Sequence, residues 1–128
     1  MNVRVIIKND GKILLCYMKK NNFYFLPGGS VESNETSEEA LFRELKEEMG
    51  VEKNKIIINS FIGFQEFKFN DSYGRDAIFS VSLKDTNIKS IEGHIDFVWK
   101  DLKDLKNLDL RPSIVIKTIL ENKTGYIV

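Results

Sequence analysis

The stretch LPGGSVESNETSEEALFRELKEEMGV, which runs from Leu26 to Val51, predicts a glycine-rich loop followed by one amphipathic helix. Thr36 and Glu39 have the spacing of a capping box, in which each side chain binds the backbone N–H of the other residue, so the helix is expected to begin there. Gly50 is expected to end the helix, because glycine readily adopts the left-handed conformation of a helix C-terminus.

Three carboxylates share one side of this helix. Glu44, Glu47 and Glu48 lie three and four residues apart, which places them within an arc of roughly 100°. Like charges at this spacing destabilise a helix by about a few tenths of a kcal/mol. Arg43 can brace the carboxylate of Glu47 four residues later, and a hard divalent cation such as Mg²⁺ would offset the repulsion further. Taken alone, however, the cluster also fits a solvated helix surface.

The whole stretch resembles the Nudix box, whose pattern is Gly, five residues, Glu, seven residues, then Arg-Glu-apolar-x-Glu-Glu-x-Gly-apolar. The matching residues are Gly29, Glu35, Arg43, Glu44, Leu45, Glu47, Glu48, Gly50 and Val51. Every fixed position agrees, at fixed spacing. The resemblance implies the α/β Nudix fold, a mixed β-sheet sandwiched between α-helices (an α/β/α sandwich), in a single domain over residues 1–128.

The resemblance also implies a site and a cofactor. The implied metal ligands are Gly29, through its carbonyl, Glu44, Glu47 and Glu48. Arg43 matches the residue that orients the glutamates and joins them as a catalytic residue, while Glu35 is expected to support the loop. The implied ion is Mg²⁺, with Mn²⁺ as the alternative, since both accept oxygen ligands.

Substrate contacts are expected around the glycine-rich loop. Gly28 and Gly29 allow the backbone to turn sharply and to approach a phosphate closely. Tyr24 is the predicted substrate-binding aromatic residue; Phe23 and Phe67 are also candidates for stacking on a base, although aromatic residues in such runs more often belong to a core. Basic side chains that could meet phosphates are Arg4, Lys19, Lys20 and Arg75.

The implied chemistry is attack of water on a phosphorus atom of a P–O–P bridge, with a carboxylate as general base. Glu44 is one candidate for the base. Glu92 and Asp96, on a later segment, are possible accessory bases, because some relatives use an acidic residue there. His94 lies between them and is expected to be structural.

The rest of the chain predicts strands before and after the helix and a second helix at the end. The β-rich runs are 3–7, 12–18, 23–26, 55–69, 76–83 and 94–99. Asp10 and Gly11 predict a tight hairpin turn. Residues 27–29 are expected to interrupt strand pairing, and residues 70–74 to form a turn. Residues 111–120 predict the second helix, with Pro112 in its first turn.

Composition narrows the class of protein. Lysine and arginine number 19, as do aspartate and glutamate, so no net charge draws the chain of 128 residues to nucleic acid or to a membrane. We expect no stable nucleic-acid complex, and no apolar run approaches the roughly 20 residues that span a bilayer. The lone cysteine, Cys16, excludes an internal disulfide and is expected in the core. A cytoplasmic monomer or homodimer that acts on a small-molecule nucleotide is the expectation.

The substrate is open to several interpretations. The leading one is a nucleotide pyrophosphatase that cleaves (d)NTPs between the α and β phosphates; hydrolysis of NDP-sugars or of dinucleoside polyphosphates is the alternative. ADP-ribose-type members often carry a proline shortly after the box, whereas here the prolines are Pro27 and Pro112, which disfavours that subgroup. A non-catalytic Nudix-fold nucleotide sensor is a further alternative, but such proteins usually lose carboxylates from the box, whereas this chain has all three. An unrelated α/β interaction domain with an acidic helix would require the match to the box to be accidental.

Overall fold

The computed structural model describes residues 1–69, 71–85, 88, 90–91 and 93–124. Within these ranges the chain forms five strands, one α-helix, three further strands and a second α-helix. The strands are β1 (Asn2–Ile6), β2 (Lys8–Asn9), β3 (Lys12–Met18), β4 (Phe23–Phe25), β5 (Gly28–Ser30), β6 (Ile56–Phe69), β7 (Ser72–Leu83) and β8 (Ile95–Asp101). The helices are α1 (Ser37–Met49) and α2 (Val115–Glu121), with short 3₁₀ turns at Lys53–Lys55 and Leu102–Asn107.

The strands form two four-stranded sheets. The first has the order β5-β1-β7-β6 and is mixed, because β1 runs parallel to β7 while its other pairs are antiparallel. The second is antiparallel, with β3 flanked by β2, β4 and β8. The predicted mixed sheet is therefore confirmed and is divided in two.

Both faces of these sheets are covered, which confirms the predicted α/β/α sandwich. Successive residues of a strand point to opposite faces. Val5 packs in a core with Leu45 of α1, whereas its neighbour Ile6 packs in a second core with Ile119 of α2. Cys16 is buried, as predicted. Within the described part of the chain, neither helix has the length and apolar character needed to cross a membrane.

The ends of α1 follow the sequence signals. The Thr36 hydroxyl accepts a hydrogen bond from the Glu39 backbone N–H at 3.1 Å, and a Glu39 carboxylate oxygen accepts one from the Thr36 N–H at 3.0 Å. Gly50 adopts a left-handed conformation with φ of 68° and donates to the carbonyls of Leu45 and Lys46. The predicted capping box and glycine stop are both confirmed, and they hold the acidic end of α1 in place.

The expectation that residues 27–29 interrupt strand pairing was wrong for the glycines. Gly28 and Gly29 form β5 and pair with Arg4 and Val3 of β1. A methyl group at Gly28, whose φ is 138°, would lie 1.9 Å from the Val3 carbonyl oxygen, so this close pairing requires glycine. The loop therefore enters the first sheet directly beside α1.

The second helix starts later than predicted. Arg111 donates its N–H to the Tyr24 carbonyl at 2.9 Å, directly after the β-bridge between Leu110 and Tyr24. The segment therefore lies along β4 at this point and does not yet form a helix. Pro112 accepts from the Val115 N–H in the turn that precedes α2. The predicted turn at 70–74 is also shorter, because Ser72 already pairs with Phe69 across the β6–β7 hairpin.

Candidate active site

Arg43 is the centre of a hydrogen-bond network that joins the loop to α1. Its Nε donates to Glu35 at 3.0 Å, and its Nη2 donates to the Ser30 carbonyl at 2.8 Å. Its Nη1 donates to Glu44 at 3.0 Å and to Glu47 at 3.3 Å. The hydrogen bonds from Arg43 hold the pKa of Glu35 below its usual range, and the Glu35 carboxylate in turn raises the pKa of Arg43. The predicted brace is thus present and includes Glu35.

Glu48 is the buried carboxyl group of the site. The residue is only 6% exposed. Burial raises its pKa to about 8, with further contributions from a hydrogen bond to Glu44 and from the charge of Glu44. The positive charge of Arg4 and the Gly28 N–H act in the opposite direction. Two acidic groups therefore share a hydrogen bond at the glycine-rich loop, where a negative charge on Glu48 is disfavoured unless a cation is near.

Gly29 makes room for one of these groups. A methyl group at this position would lie 2.5 Å from the carboxylate carbon of Glu44, which is closer than van der Waals contact allows. The side chain of Glu44 is itself 14% exposed. The loop thus sets the position of Glu44 through the absence of a side chain at residue 29.

Gly29→Ala is expected to displace the Glu44 carboxylate and to lower kcat/KM about tenfold, because small misplacements of reacting groups are costly. Circular dichroism should show an intact fold, since the displaced atoms end a flexible side chain. Gly11→Asn is the control, because Gly11 has open space around it and asparagine tolerates its positive φ. Wild-type kinetics in Gly29→Ala would contradict the prediction.

The donor set fits a hard divalent cation. Within the described ranges, no three acidic, histidine or cysteine side chains already converge as a metal site. Glu44 and Glu48 lie together, whereas the Glu47 side chain is 56% exposed and turned to Arg43. Carboxylate oxygens are the ligands that Mg²⁺ prefers, and a cation would remove the penalty on the buried Glu48 charge. Ligation by Glu47 and by the Gly29 carbonyl stays a prediction.

Two further predicted site residues, Asp96 and Tyr24, have partners outside this network. Asp96 of β8 forms an ion pair with Lys19 at 3.3 Å. The Tyr24 ring packs against the Tyr17 ring at a centroid distance of 4.9 Å, within the second core. Glu92 lies outside the described residues. The roles of Asp96 and Glu92 as bases stay predictions.

A cavity of about 460 Å³ has Arg4 and Asp76 in its wall, whereas Glu44, Glu47 and Glu48 do not line it. Its wall includes Phe23, Phe25 and Phe67, whereas Tyr24 does not line it. This geometry favours the phenylalanines over Tyr24 for contact with a ligand. Arg4 also lines the cavity, and its charge acts on Glu48, so Arg4 links the cavity to the acidic end of α1.

Sequence reasoning missed Asp76, a buried residue of the cavity wall. The sequence pattern predicts Asp76 only as the first residue of the strand at 76–83. The available signal was alternation, because Asp76 lies two residues before Ile78, which faces the second core. An acidic residue on a buried face is rare enough to mark a candidate site.

Comparison with known proteins agrees with this geometry. The family model described as the NUDIX domain matches residues 1–118. The chain is 33% identical to an ADP-ribose pyrophosphatase of Methanocaldococcus jannaschii, over 94% of this chain and 72% of that protein. It is also 33% identical to the nucleoside triphosphatase NudI of Klebsiella pneumoniae, over 82% of this chain and 84% of that protein.

Solved structures show the same architecture. The MutT protein of Methanosarcina mazei Go1 superimposes with a TM-score of 0.78 at 22% identity, over 94% of this chain and 90% of that one. This likeness concerns the fold, whereas the sequence relatives and the match over residues 1–118 concern the family. The protein belongs to the Nudix family and is a Nudix hydrolase.

Proposed function

We propose that the protein is a Mg²⁺-dependent nucleotide pyrophosphatase that converts a nucleoside triphosphate to the monophosphate and pyrophosphate. The observation that carries the proposal is the contact between Glu44 and the buried Glu48 at the Gly28–Gly29 loop. The adjoining aromatic cavity has room for a nucleoside. Similarity to NudI over most of both chains supports a triphosphate substrate.

Several residues of the site would have separate roles in hydrolysis at the α phosphorus. A bond forms between the water oxygen and phosphorus, the bridging P–O bond breaks, and pyrophosphate leaves with the electron pair. The Glu44 side chain is 14% exposed, so its carboxylate can contact a water molecule and take its proton. Arg43 donates a hydrogen bond that holds this carboxylate in place. A bound divalent cation would neutralise phosphate charge and lower the pKa of a coordinated water. Gly28 and Gly29 let the phosphates approach the backbone.

The direct test is incubation with Mg²⁺ or Mn²⁺ and a panel of substrates, followed by chromatographic identification of products. The panel contains nucleoside triphosphates, nucleotide sugars, dinucleoside polyphosphates and ADP-ribose, the last because of the name of the M. jannaschii relative. Monophosphate plus pyrophosphate is the expected result. Monophosphate plus a sugar phosphate would reassign the enzyme to the diphosphate-linked compounds.

The same experiment tests the non-catalytic alternative. A sensor would bind a nucleotide, seen as a ligand-induced rise in melting temperature, without forming product under either ion. We also propose that residues 1–128 form one domain, that the protein is cytoplasmic, and that it is a monomer or a homodimer.

A further inference from the structure

Asp76 presents an unused hydrogen-bond acceptor in the wall of the cavity. The residue is 3% exposed. Among the described residues, its Oδ1 has no hydrogen-bond partner. The side chain of Asn2, its neighbour across β1 and β7, provides a hydrogen bond to the carboxyl group. Buried polar atoms are almost always paired, so an unpaired oxygen on a residue that lines a cavity marks a place where a ligand can supply the partner.

The surroundings of Asp76 show which ligand would fit. Burial raises the pKa of Asp76, whereas the positive charge of Arg4 and the Asn2 hydrogen bond act in the opposite direction. A carboxyl oxygen that accepts hydrogen bonds attracts an N–H group and does not favour phosphate. Phe25 and Phe67 supply flat apolar surface on the same cavity. A planar ring that carries an N–H donor combines both properties.

Arg4 connects this wall to the proposed reaction centre. It lines the cavity, and its charge acts on both Glu48 and Asp76. Its Nη1 donates to the Leu26 carbonyl at 3.0 Å, which fixes the side chain beside the glycine-rich loop. A ligand whose phosphates meet Glu48 would therefore extend its base past Arg4 towards Asp76.

We propose that Asp76 is a specificity-determining residue whose Oδ1 accepts a hydrogen bond from the exocyclic amino group of the substrate's nucleobase. The inference rests on the proposed function and assigns the preferred substrates to amino-bearing bases. Uracil is disfavoured, because its ring N–H between the two carbonyl groups would bring their oxygens against the carboxyl group. Hypoxanthine is disfavoured relative to adenine, because an oxygen replaces the amino group.

The test compares kcat/KM for ATP against ITP and for CTP against UTP, two pairs in which an oxygen replaces an amino group. The wild type should prefer the amino member of at least one pair by about tenfold or more, as expected when a buried acceptor is left without its hydrogen bond. Asp76→Asn, which presents an amide in the same shape, should remove or invert that preference. Asp71→Asn is the matched control, because Asp71 is exposed in the β6–β7 turn, and it should keep the wild-type ratio.

Two results would overturn the inference: a wild type without preference in either pair, or an Asp76→Asn enzyme with the wild-type ratio. The first needs no variant, so a misfolded Asp76→Asn protein does not remove the test. Calorimetric binding of AMP, IMP, CMP and UMP in EDTA separates the two proposals. Discrimination for the amino-bearing monophosphates without any turnover of triphosphates would contradict the proposed function and support the role of Asp76. Turnover of triphosphates without discrimination between the monophosphates would support the proposed function and contradict the role of Asp76.

Discussion

Replacement of Glu48 by glutamine is expected to lower kcat/KM about 10³-fold or more, the largest effect that we predict for one substitution. Glutamine keeps the shape of the side chain but removes the carboxylate that would hold a cation beside the phosphates. Loss of that charge stabilisation is worth several kcal/mol, and about 1.4 kcal/mol corresponds to each factor of ten. The measurement is steady-state hydrolysis of the best substrate across a range of Mg²⁺ concentrations.

The fold of Glu48→Gln should survive. Glu48 is 6% exposed and burial already disfavours its charge, so a neutral amide should be accommodated and the metal-free melting temperature should stay close to that of the wild type. Glu52→Gln is the matched control, because the Glu52 side chain is 63% exposed and pairs only loosely with Lys46 at 3.6 Å. Unchanged turnover in Glu48→Gln would place the reaction elsewhere.

The acidic helix could be predicted closely from the sequence because its signals are local. Thr36, Glu39 and Gly50 act on backbone groups within one turn of themselves, and the structure confirms each of them. The side of the helix that Glu44 and Glu48 share follows from the helical period alone. Local chemistry therefore sufficed for the element that carries the proposed reaction.

Features that depend on distant parts of the chain could not be predicted in the same way. Gly28 pairs with β1 because of its contact with Val3, a residue 25 positions earlier, and nothing near Gly28 indicates that partner. Arg111 is held out of the second helix by Tyr24, far away in sequence. Tertiary contacts overrode the local preference at both places.

The cavity shows most clearly that contacts between distant residues cannot be predicted from local sequence signals. The sequence indicates Phe23 and Phe67 as aromatic residues that could stack on a base. Only the packed sheets show that both line one cavity with Asp76. Alternation along β7 places Asp76 on the same face as Ile78, but it does not show that Asp76 keeps an unpaired oxygen. Within the described residues no donor reaches this Oδ1, although Asn2 bonds to the same carboxyl group, and such an arrangement in space is not contained in a linear pattern.

Replacement of Arg43 by lysine is expected to give the second largest loss, about 100-fold in kcat/KM, at the upper end for a residue that orients metal ligands. Arg43 contacts Glu35, Glu44, Glu47 and the Ser30 carbonyl from the separate nitrogens of one planar group. A lysine ammonium is a single point charge and cannot reproduce this forked arrangement. The Mg²⁺ concentration for half-maximal activity should rise together with the loss in rate.

That metal dependence separates positioning of the glutamates from a merely structural role. If Arg43 only fastened the loop to α1, the lysine variant would melt earlier but would need no more Mg²⁺ than the wild type. Arg75→Lys is the matched control: unlike Arg4, Arg75 does not line the cavity, so it is no longer a candidate for contact with phosphate. It stacks over Phe64 at 3.9 Å on the β6–β7 hairpin and reaches Glu66 only at 4.0 Å. It should leave both the rate and the Mg²⁺ requirement unchanged. If only Arg43→Lys needs more Mg²⁺ for half-maximal activity, the guanidinium positions the carboxylates and does not only stabilise the fold.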